Sequence, residues 1–287
     1  MARRYLKKFV RSEAADPLRL QPRDIALLRD VAEFRFLNTP QILALHPGGE
    51  RNLLRRLAAM FSLGFLDRPK TQGNAQLRSS HLVYSLGRKS VEVLAAKPEE
   101  REWILRRVRE VEHTSPLLGH ALMISQLRVC LTLALRKRDS TIERWLQGRD
   151  LKDALTFRGA NPPLVPDAFF TIKDEGDSIH YFVEADRGTM TTERFVSKMK
   201  IYWSWKDDQR LKDALGIPHF RVLTITPTEG RSENLRLASK EANTDKKGSR
   251  MFLFAPETSY GIATPDEAIG KIWKSPKDDT AYSVLDG

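Results

Sequence analysis

The first part of the chain carries apolar residues at the three- and four-residue spacing that places them on one face of an α-helix. Residues 21–34 follow this spacing and predict an amphipathic helix. Residues 39–45 predict a second, short helix, because Asn38 or Thr39 is suited to cap its first turn. The segment 46–49, with the sequence HPGG, then predicts a tight turn.

A third predicted helix, residues 50–63, has two faces of different chemistry, and Gly64 is suited to end it. We expect its buried face to consist of Leu53, Leu54, Leu57 and Met60. The opposite face carries Arg51, Asn52, Arg55 and Arg56. An exposed basic helix of this kind suits the major groove of DNA, where arginine reads guanine edges and asparagine reads adenine.

A two-stranded ribbon is predicted after the third helix. The apolar run 65–66 and the alternating run 81–86 are its strands, and residues 68–80 form the polar loop between them. Three helices followed by such a ribbon are the order of elements in a winged helix-turn-helix. In that arrangement we expect Lys70 and Arg78, on the loop that forms the wing, to contact DNA.

The pattern changes after residue 116, where long apolar helices alternate with short strands. A long buried helix begins at Leu117, and two further helices are predicted at about 191–205 and 231–242. Strands are predicted at 141–146, 167–172, 178–186, 219–225 and 251–254. The second and third of these strands form a hairpin, since a short loop with a glycine joins them. This order indicates a mixed α/β core.

Positive charge is concentrated in the first part of the chain. The net charge of the 287 residues is +11, and residues 1–115 supply +9 of it, with 22 basic and 13 acidic residues. A local basic field attracts polyanions, so double-stranded DNA is the predicted partner and a membrane is not. A solvated basic surface, or a protein–protein module, is the alternative interpretation of these helices.

Composition excludes several classes of protein. Hydrophobic residues make up 41% of the chain, which is too many for a disordered or fibrous protein. Cys130 is the only cysteine, so neither an intramolecular disulfide nor a cysteine-rich zinc site is available. The N-terminus carries no apolar core of signal-peptide length, and the apolar helix contains His120, Gln126 and Arg128. We therefore expect a cytoplasmic protein whose apolar helix is buried.

Three carboxylates and one lysine are candidates for a catalytic metal site. Glu184 and Asp186 are two residues apart on a predicted strand, so their side chains lie on the same face. A divalent cation between them would relieve their repulsion, and Mg²⁺ or Mn²⁺ prefers such oxygen ligands. Asp167, on the neighbouring strand, is the predicted third ligand, and Lys198 on the next helix is the predicted catalytic cation. The alternative is a salt-bridge cluster neutralised by Arg187 or Arg194.

The same residues resemble a known pattern. Residues 165–167 (VPD) followed by 184–186 (EAD) are similar to the motif of the PD-(D/E)XK nuclease superfamily, although this chain has Asp186 where the superfamily has lysine. Some members carry that lysine on the following helix, as Lys198 does. More narrowly, the string EADRGT at 184–189, followed by Lys198 and Tyr202, resembles the bacterial replication-relaxation family.

The resemblance implies a protein of the α+β or mixed α/β class. In it, a winged helix-turn-helix precedes a PD-(D/E)XK restriction-endonuclease-like domain. It also implies a role in the replication or transfer of a plasmid or mobile element, with Mg²⁺ held by the acidic residues. The predicted segments are a basic arm at 1–20, a winged-helix domain at 21–96, a helical connector at 97–116, a nuclease-like domain at 117–256 and a partly ordered tail at 257–287.

Two functions follow from these predictions. In the first, the winged helix recognises a DNA site, and the second domain nicks or cuts DNA by metal-dependent hydrolysis with Asp167, Glu184, Asp186 and Lys198. In the second, the protein is a non-catalytic DNA-binding initiator or regulator, and the nuclease-like domain serves dimerisation or docking. A homodimer is a possible assembly in either case.

Overall fold

The computed structural model describes residues 9–12, 17–73, 81–114, 118–157 and 159–286. It divides into two compact units, Met1–Gln126 and Leu127–Gly287. Within the described residues there are ten α-helices and two β-sheets, of three and seven strands. The chain is therefore a mixed α and β protein, as the alternation of helical and strand patterns predicts.

The first unit contains three helices, a small sheet and two further helices. Its helices are α1 (Pro22–Phe34), α2 (Thr39–Leu45), α3 (Glu50–Leu63), α4 (Ser90–Leu94) and α5 (Pro98–Thr114), and its strands are β1 (Leu37–Asn38), β2 (Leu66–Asp67) and β3 (Val83–Leu86). β3 lies in the centre of the sheet and pairs antiparallel with both β1 and β2. The two residues of β1 are too short a run for an alternating pattern to reveal.

Local capping explains why α2 and α3 begin and end as the sequence predicts. The Asn38 side chain accepts a hydrogen bond from the Gln41 backbone N–H at 3.0 Å, and the Gln41 side chain accepts one from the Asn38 N–H at 2.8 Å. This reciprocal pair is a capping box. At the other end of the pair of helices, Gly64 has a φ of 89° and ends α3 in the left-handed conformation.

The apolar face of α3 differs from the prediction at one residue. Leu53, Leu57, Met60 and Phe61 are buried. Leu54 is 38% exposed, because it lies next to Arg55 on the outward side of the helix rather than in the buried stripe. The prediction that Leu54 belongs to the core is therefore wrong.

The second unit is built on a seven-stranded sheet with the order β10-β9-β8-β7-β6-β5-β4. Its strands are β4 (Ser140–Gln147), β5 (Ala168–Asp174), β6 (Asp177–Ala185), β7 (Arg221–Thr226), β8 (Phe252–Pro256), β9 (Trp273–Lys274) and β10 (Ala281–Tyr282). β6, β7 and β8 are parallel, and the other neighbours are antiparallel. The five strands that the sequence predicts are all present, and the hairpin is β5–β6.

The helices that accompany this sheet are α6 (Leu118–Leu135), α7 (Arg149–Ala154), α8 (Thr192–Trp205), α9 (Gln209–Leu215) and α10 (Glu229–Ala238). Side chains of α8, α9 and α10 join those of the sheet in one buried cluster. Aromatic contacts fix α8 on the sheet. The centroid of the Phe182 ring lies 5.5 Å from that of the Tyr202 ring and 5.8 Å from that of the Trp205 ring. The last turns of α8 are thereby held against the sheet, beside the end of β6.

The division between the units falls inside α6, ten residues after the predicted domain boundary at residue 117. The first turns of α6 belong to the first unit, where Leu118 packs against Phe36 and Val83. The Ser125 hydroxyl also donates a hydrogen bond to the Phe34 carbonyl at 3.2 Å. A change of sequence pattern marks where a helix begins, but these contacts decide which unit each part of it joins.

α6 is long and apolar enough to cross a membrane by length and composition, with a mean hydropathy of 1.5. Two thirds of it, 67%, is buried inside the protein, which is typical of a core helix. The prediction that this helix is buried is confirmed for most of its length.

The C-terminal tail, which the sequence predicts to be partly ordered, contributes strands and buried side chains to the second unit. Residues 257–286 contribute β9 and β10 to one edge of the large sheet. Trp273 and Val284 are fully buried, and the Tyr181 hydroxyl on β6 donates a hydrogen bond to the Val284 carbonyl at 2.6 Å. These apolar side chains of residues 257–286 therefore complete the core of the second unit.

We expect Trp273→Ala to lower the free energy of unfolding of the second unit by about 3–5 kcal/mol, the usual cost of truncating a buried tryptophan. The Trp273 indole also donates to the Ala268 carbonyl at 3.0 Å. Urea unfolding followed by circular dichroism measures this change. The control is Lys274→Ala, which removes only an exposed ion pair with Glu229 and should cost less than about 1 kcal/mol. Equal losses in the two variants would contradict a tail that forms part of the core.

Candidate functional site

The outward face of α3 presents three of the four polar residues predicted to contact DNA. Arg51, Asn52 and Arg55 are exposed. The Arg55 guanidinium donates a hydrogen bond to the Asn52 side-chain oxygen at 3.0 Å, so its position is partly set before any ligand binds. This surface, Arg51, Asn52 and Arg55, can donate several hydrogen bonds to an anionic or hydrogen-bond-accepting partner.

Arg56 does not belong to that surface. Its side chain is 12% exposed, and its Nε donates to Asp24 Oδ1 at 2.6 Å, while one Nη bonds the other oxygen of Asp24 and the Arg19 carbonyl. The hydrogen bond to Asp24, against the opposing effect of burial, raises the pKa of Arg56. Asp24 is itself buried, so Arg56 pairs α3 with α1. The expectation that Arg56 contacts DNA is corrected, because its charge is used inside the unit.

The turn before α3 is braced from α1. The Arg23 guanidinium donates to the His46 carbonyl at 2.5 Å and to the Pro47 carbonyl at 3.1 Å. These bonds satisfy carbonyl groups at the end of α2 and fix the angle at which α3 begins. Lys70, after β2, is exposed, whereas Arg78 lies outside the described residues, as does the part of the basic arm at 1–8.

In the second unit, a buried carboxylate lies at the end of the β5–β6 hairpin. Glu184 on β6 is 2% exposed and shares its face of the sheet with Phe182, because alternate residues of a strand point the same way. Asp167 immediately precedes β5, and its carboxylate accepts a hydrogen bond from the Ala185 backbone N–H at 2.8 Å. The antiparallel register of β5 and β6 therefore places Asp167 beside Glu184.

Two side chains of α8 reach Glu184. The Lys198 ammonium donates to Glu184 Oε2, and the Tyr202 hydroxyl donates to Glu184 Oε1 at 2.6 Å. Lys198 and Tyr202 are four residues apart, so they lie one above the other on the same face of the helix. The structure thus brings together Asp167, Glu184 and Lys198 from the predicted set, together with Tyr202, the residue that follows Lys198 in the family pattern.

Burial and the neighbouring charges shift the pKa values of Glu184, Lys198 and Tyr202. Burial, followed by the charge of Asp167, raises the pKa of Glu184 to about 7, against the attraction of Lys198. Burial disfavours the Lys198 ammonium, but the two carboxylates outweigh it and raise the pKa of Lys198. Burial and the charge of Glu184 also raise the pKa of Tyr202, so its hydroxyl stays a donor. A buried carboxylate with a raised pKa is one that additional positive charge would stabilise.

Asp186 is directed away from this cluster. Arg231, in the first turn of α10, donates to both of its oxygens, at 2.8 and 3.1 Å, and the Gly188 N–H donates to one of them at 2.9 Å. β6 ends at Ala185, so the strand alternation that would place Asp186 beside Glu184 no longer applies. The salt-bridge interpretation therefore describes Asp186, but the partner is Arg231 rather than Arg187 or Arg194.

The sequence did not predict Arg231 as the partner of Asp186, because the two residues are 45 positions apart in the chain. Its guanidinium also donates to the Met190 carbonyl at 2.6 Å, and it thereby holds the loop between β6 and α8. The sequence offers one local indication of where Arg231 lies, because Thr228 is suited to cap a helix. In the structure, the Thr228 hydroxyl accepts a hydrogen bond from the Arg231 backbone N–H at 3.2 Å. That signal locates Arg231 in a first turn but says nothing of its partner.

Two carboxylates, those of Asp167 and Glu184, lie close enough to each other to be considered as ligands of a divalent cation. Among the described residues, no group of three or more His, Cys, Asp or Glu side chains is placed to hold a metal, so the three-carboxylate site is not formed. Asp167 and Glu184 remain, and Mg²⁺ is commonly bound by one or two carboxylates together with water and substrate phosphate. Thr224, in register with Glu184 on β7, has a buried hydroxyl for which the described residues provide no hydrogen-bond partner.

One comparison with known proteins gives a match. The model of the replication-relaxation family matches residues 28–217, which is about two thirds of the chain. The matched range contains α3, Asp167, Glu184 and Lys198 and ends before Arg231. Neither the curated proteins nor the solved structures compared with the chain gave a match.

Proposed function

The chain belongs to the replication-relaxation family, and from this premise we propose that it binds a DNA site of a plasmid or mobile element and hydrolyses DNA phosphodiester bonds there. Membership of this family indicates a role in plasmid replication or mobilisation. The first unit recognises DNA, and the second carries the chemistry.

DNA recognition is assigned to the first unit as a winged helix. Helices α1, α2 and α3 followed by the β2–β3 ribbon have the element order of that fold, with α3 as the helix that enters the major groove. Arg51 and Arg55 on α3 supply exposed positive charge, and residues 1–115 carry the net +9 that attracts a polyanion. Lys70 and Arg78 remain proposed contacts of the wing.

The observation that carries the hydrolytic part is the buried Glu184 between Asp167 and Lys198. Two carboxylates at the end of a strand pair and a lysine beside them, contributed by α8, resemble the site of a PD-(D/E)XK nuclease and support this proposal. Asp167 and Glu184 would hold Mg²⁺ or Mn²⁺, which supplies polarisation of the phosphate and activation of water. Asp186 is not included, because its carboxylate pairs with Arg231 on α10 and does not join Asp167 and Glu184.

The other side chains have defined tasks in this mechanism. Lys198 places an ammonium beside the reacting phosphate and stabilises the negative charge that develops there. Tyr202 holds one oxygen of Glu184 through its hydroxyl and so orients the carboxylate. Arg231 is a positioning residue that acts through Asp186 and the Met190 carbonyl on the loop before α8.

The test uses supercoiled plasmid that carries a site selected by the protein from random-sequence duplexes. We expect conversion to open-circle or linear DNA with Mg²⁺ or Mn²⁺ and none with a chelator. A plasmid that is bound but never cut would refute hydrolysis.

Metal binding has a readout that does not depend on activity. We expect Mg²⁺ to raise the Tm of the protein, because a ligand that binds only the folded state stabilises it by about 1.4 kcal/mol at ten times its Kd. Differential scanning calorimetry with and without Mg²⁺ measures the shift. Glu184→Gln should remove the shift, while Glu193→Gln, an exposed glutamate on α8, should keep it. An equal shift in all three proteins would exclude Glu184 as a ligand.

A second candidate function is a non-catalytic DNA-binding initiator or regulator whose second unit serves dimerisation or docking. One observation favours it: the charge of Glu184 is already met by Lys198 and that of Asp186 by Arg231. Such pairs also occur as purely structural ion pairs. Specific DNA binding without a Mg²⁺-dependent Tm shift or cleavage would support this candidate.

A further inference from the structure

A leucine is exposed in the middle of the basic face of α3. Leu54 is 38% exposed and follows Arg51 by one helical turn, with Arg55 next to it. Ala58, one turn further along, is also exposed. Arg51, Leu54, Arg55 and Ala58 therefore form one outward stripe, in which charged and apolar side chains alternate along the helix.

Within the part of this unit that the structure describes, the polar groups of the stripe have few partners. The described residues offer no side-chain hydrogen bond or ion pair to Arg51, and Arg55 bonds only the neighbouring Asn52, which leaves most of its donors available. The stripe stands on a rigid base, because Arg56 ties α3 to Asp24 and Arg23 ties the preceding turn to α1. A rigid helix with a mixed apolar and basic face is suited to a partner that offers both acceptors and a small apolar group.

Duplex DNA offers this combination in its major groove. Guanine presents two acceptors that match an arginine, and thymine presents its C5-methyl group, which is an apolar group at a base edge. Phosphates beside the groove meet further positive charge. A protein partner is less well matched, because it would have to bury or neutralise two arginines in order to reach one leucine.

We propose that Leu54 is a specificity-determining residue that packs against the C5-methyl group of a thymine in the recognised site, beside a guanine that accepts from Arg55. This inference rests on the proposed DNA binding by the first unit and goes beyond it, since it states which base the apolar part of the helix selects. Ala58 extends the same apolar surface. Asn52 is the positioning residue for Arg55.

The experiment replaces single thymines by uracil in a selected duplex, because uracil lacks the methyl group and keeps every hydrogen-bonding group. We expect the wild-type Kd to rise about fourfold at one position, the factor that corresponds to one buried methyl group. Leu54→Ala should bind the thymine and uracil duplexes equally, and its affinity should match that of wild type on uracil. Fluorescence anisotropy at fixed salt measures each Kd.

The control is Leu237→Ala, which truncates a comparably exposed leucine of the second unit and should keep the wild-type sensitivity to uracil. Leu54 is partly in solvent, so circular dichroism and the Tm of Leu54→Ala are expected to match wild type. If the protein binds no duplex, the proposed DNA binding fails. If it binds tightly but no thymine position is sensitive, or if Leu54→Ala keeps the sensitivity, only the role of Leu54 is refuted.

Discussion

Glu184→Gln is expected to lower metal-dependent plasmid cleavage by about a hundred- to a thousandfold, the usual effect of removing one group that stabilises charge in an active site. The substitution retains the size of the side chain but removes the negative charge that faces Asp167 and Lys198. Initial rates of open-circle formation, measured on agarose gels at saturating Mg²⁺, give the effect. DNA affinity should be unchanged or slightly higher, since a negative charge is removed.

The matched control is Glu193→Gln, which makes the same chemical change on the exposed first turn of α8. It should cleave at the wild-type rate. Cleavage that survives in Glu184→Gln would show that the reaction uses another site or a contaminating nuclease. Cleavage lost in both variants would point instead to damage of α8.

The double variant Arg51→Ala/Arg55→Ala is expected to weaken DNA binding by about thirtyfold or more, since each arginine that pairs with a base is worth roughly 1–3 kcal/mol. The dependence of affinity on salt should also become shallower, because contacts to phosphates are lost. Fluorescence anisotropy across a series of salt concentrations measures both quantities. Unchanged affinity would refute α3 as the DNA-reading helix.

Arg56→Ala separates the binding role of its neighbours from a structural role. It leaves Asp24 buried and without its guanidinium partner, so we expect a loss of about 3–5 kcal/mol in the free energy of unfolding of the first unit. The fraction that remains folded should bind DNA with nearly wild-type affinity. Urea unfolding combined with titration of active protein distinguishes the two effects.

The parts of the fold and of the site that the sequence alone could predict are those that depend on local interactions. The bounds of α2 and α3 follow from a capping box at Asn38 and from a left-handed glycine at Gly64, which involve only residues within a turn. The meeting of Asp167 with Glu184 follows from a short hairpin, and the meeting of Lys198 with Tyr202 follows from helical spacing. Both are short-range relations that a sequence displays.

Packing over long separations decided the rest. Arg56 looks like its exposed neighbours in the sequence, but its partner Asp24 lies 32 residues away on α1. Leu53 and Leu54 are adjacent leucines, and only the rotation of α3 against the rest of the unit buries the first and exposes the second. The strands of the tail form because Trp273 completes a core that residues far upstream have built.

Glu184 and Asp186 show the same difference between local and long-range interactions. The sequence by itself determined that a buried strand leads into Glu184 and Asp186 and that a helix with Lys198 follows it. Only the tertiary structure decided that the two carboxylates part, Glu184 to Lys198 and Asp186 to Arg231 on α10. The physical reason is that hydrogen bonds within a turn or hairpin depend on neighbours in the chain, whereas the partner of a buried charge depends on which distant helix packs against it.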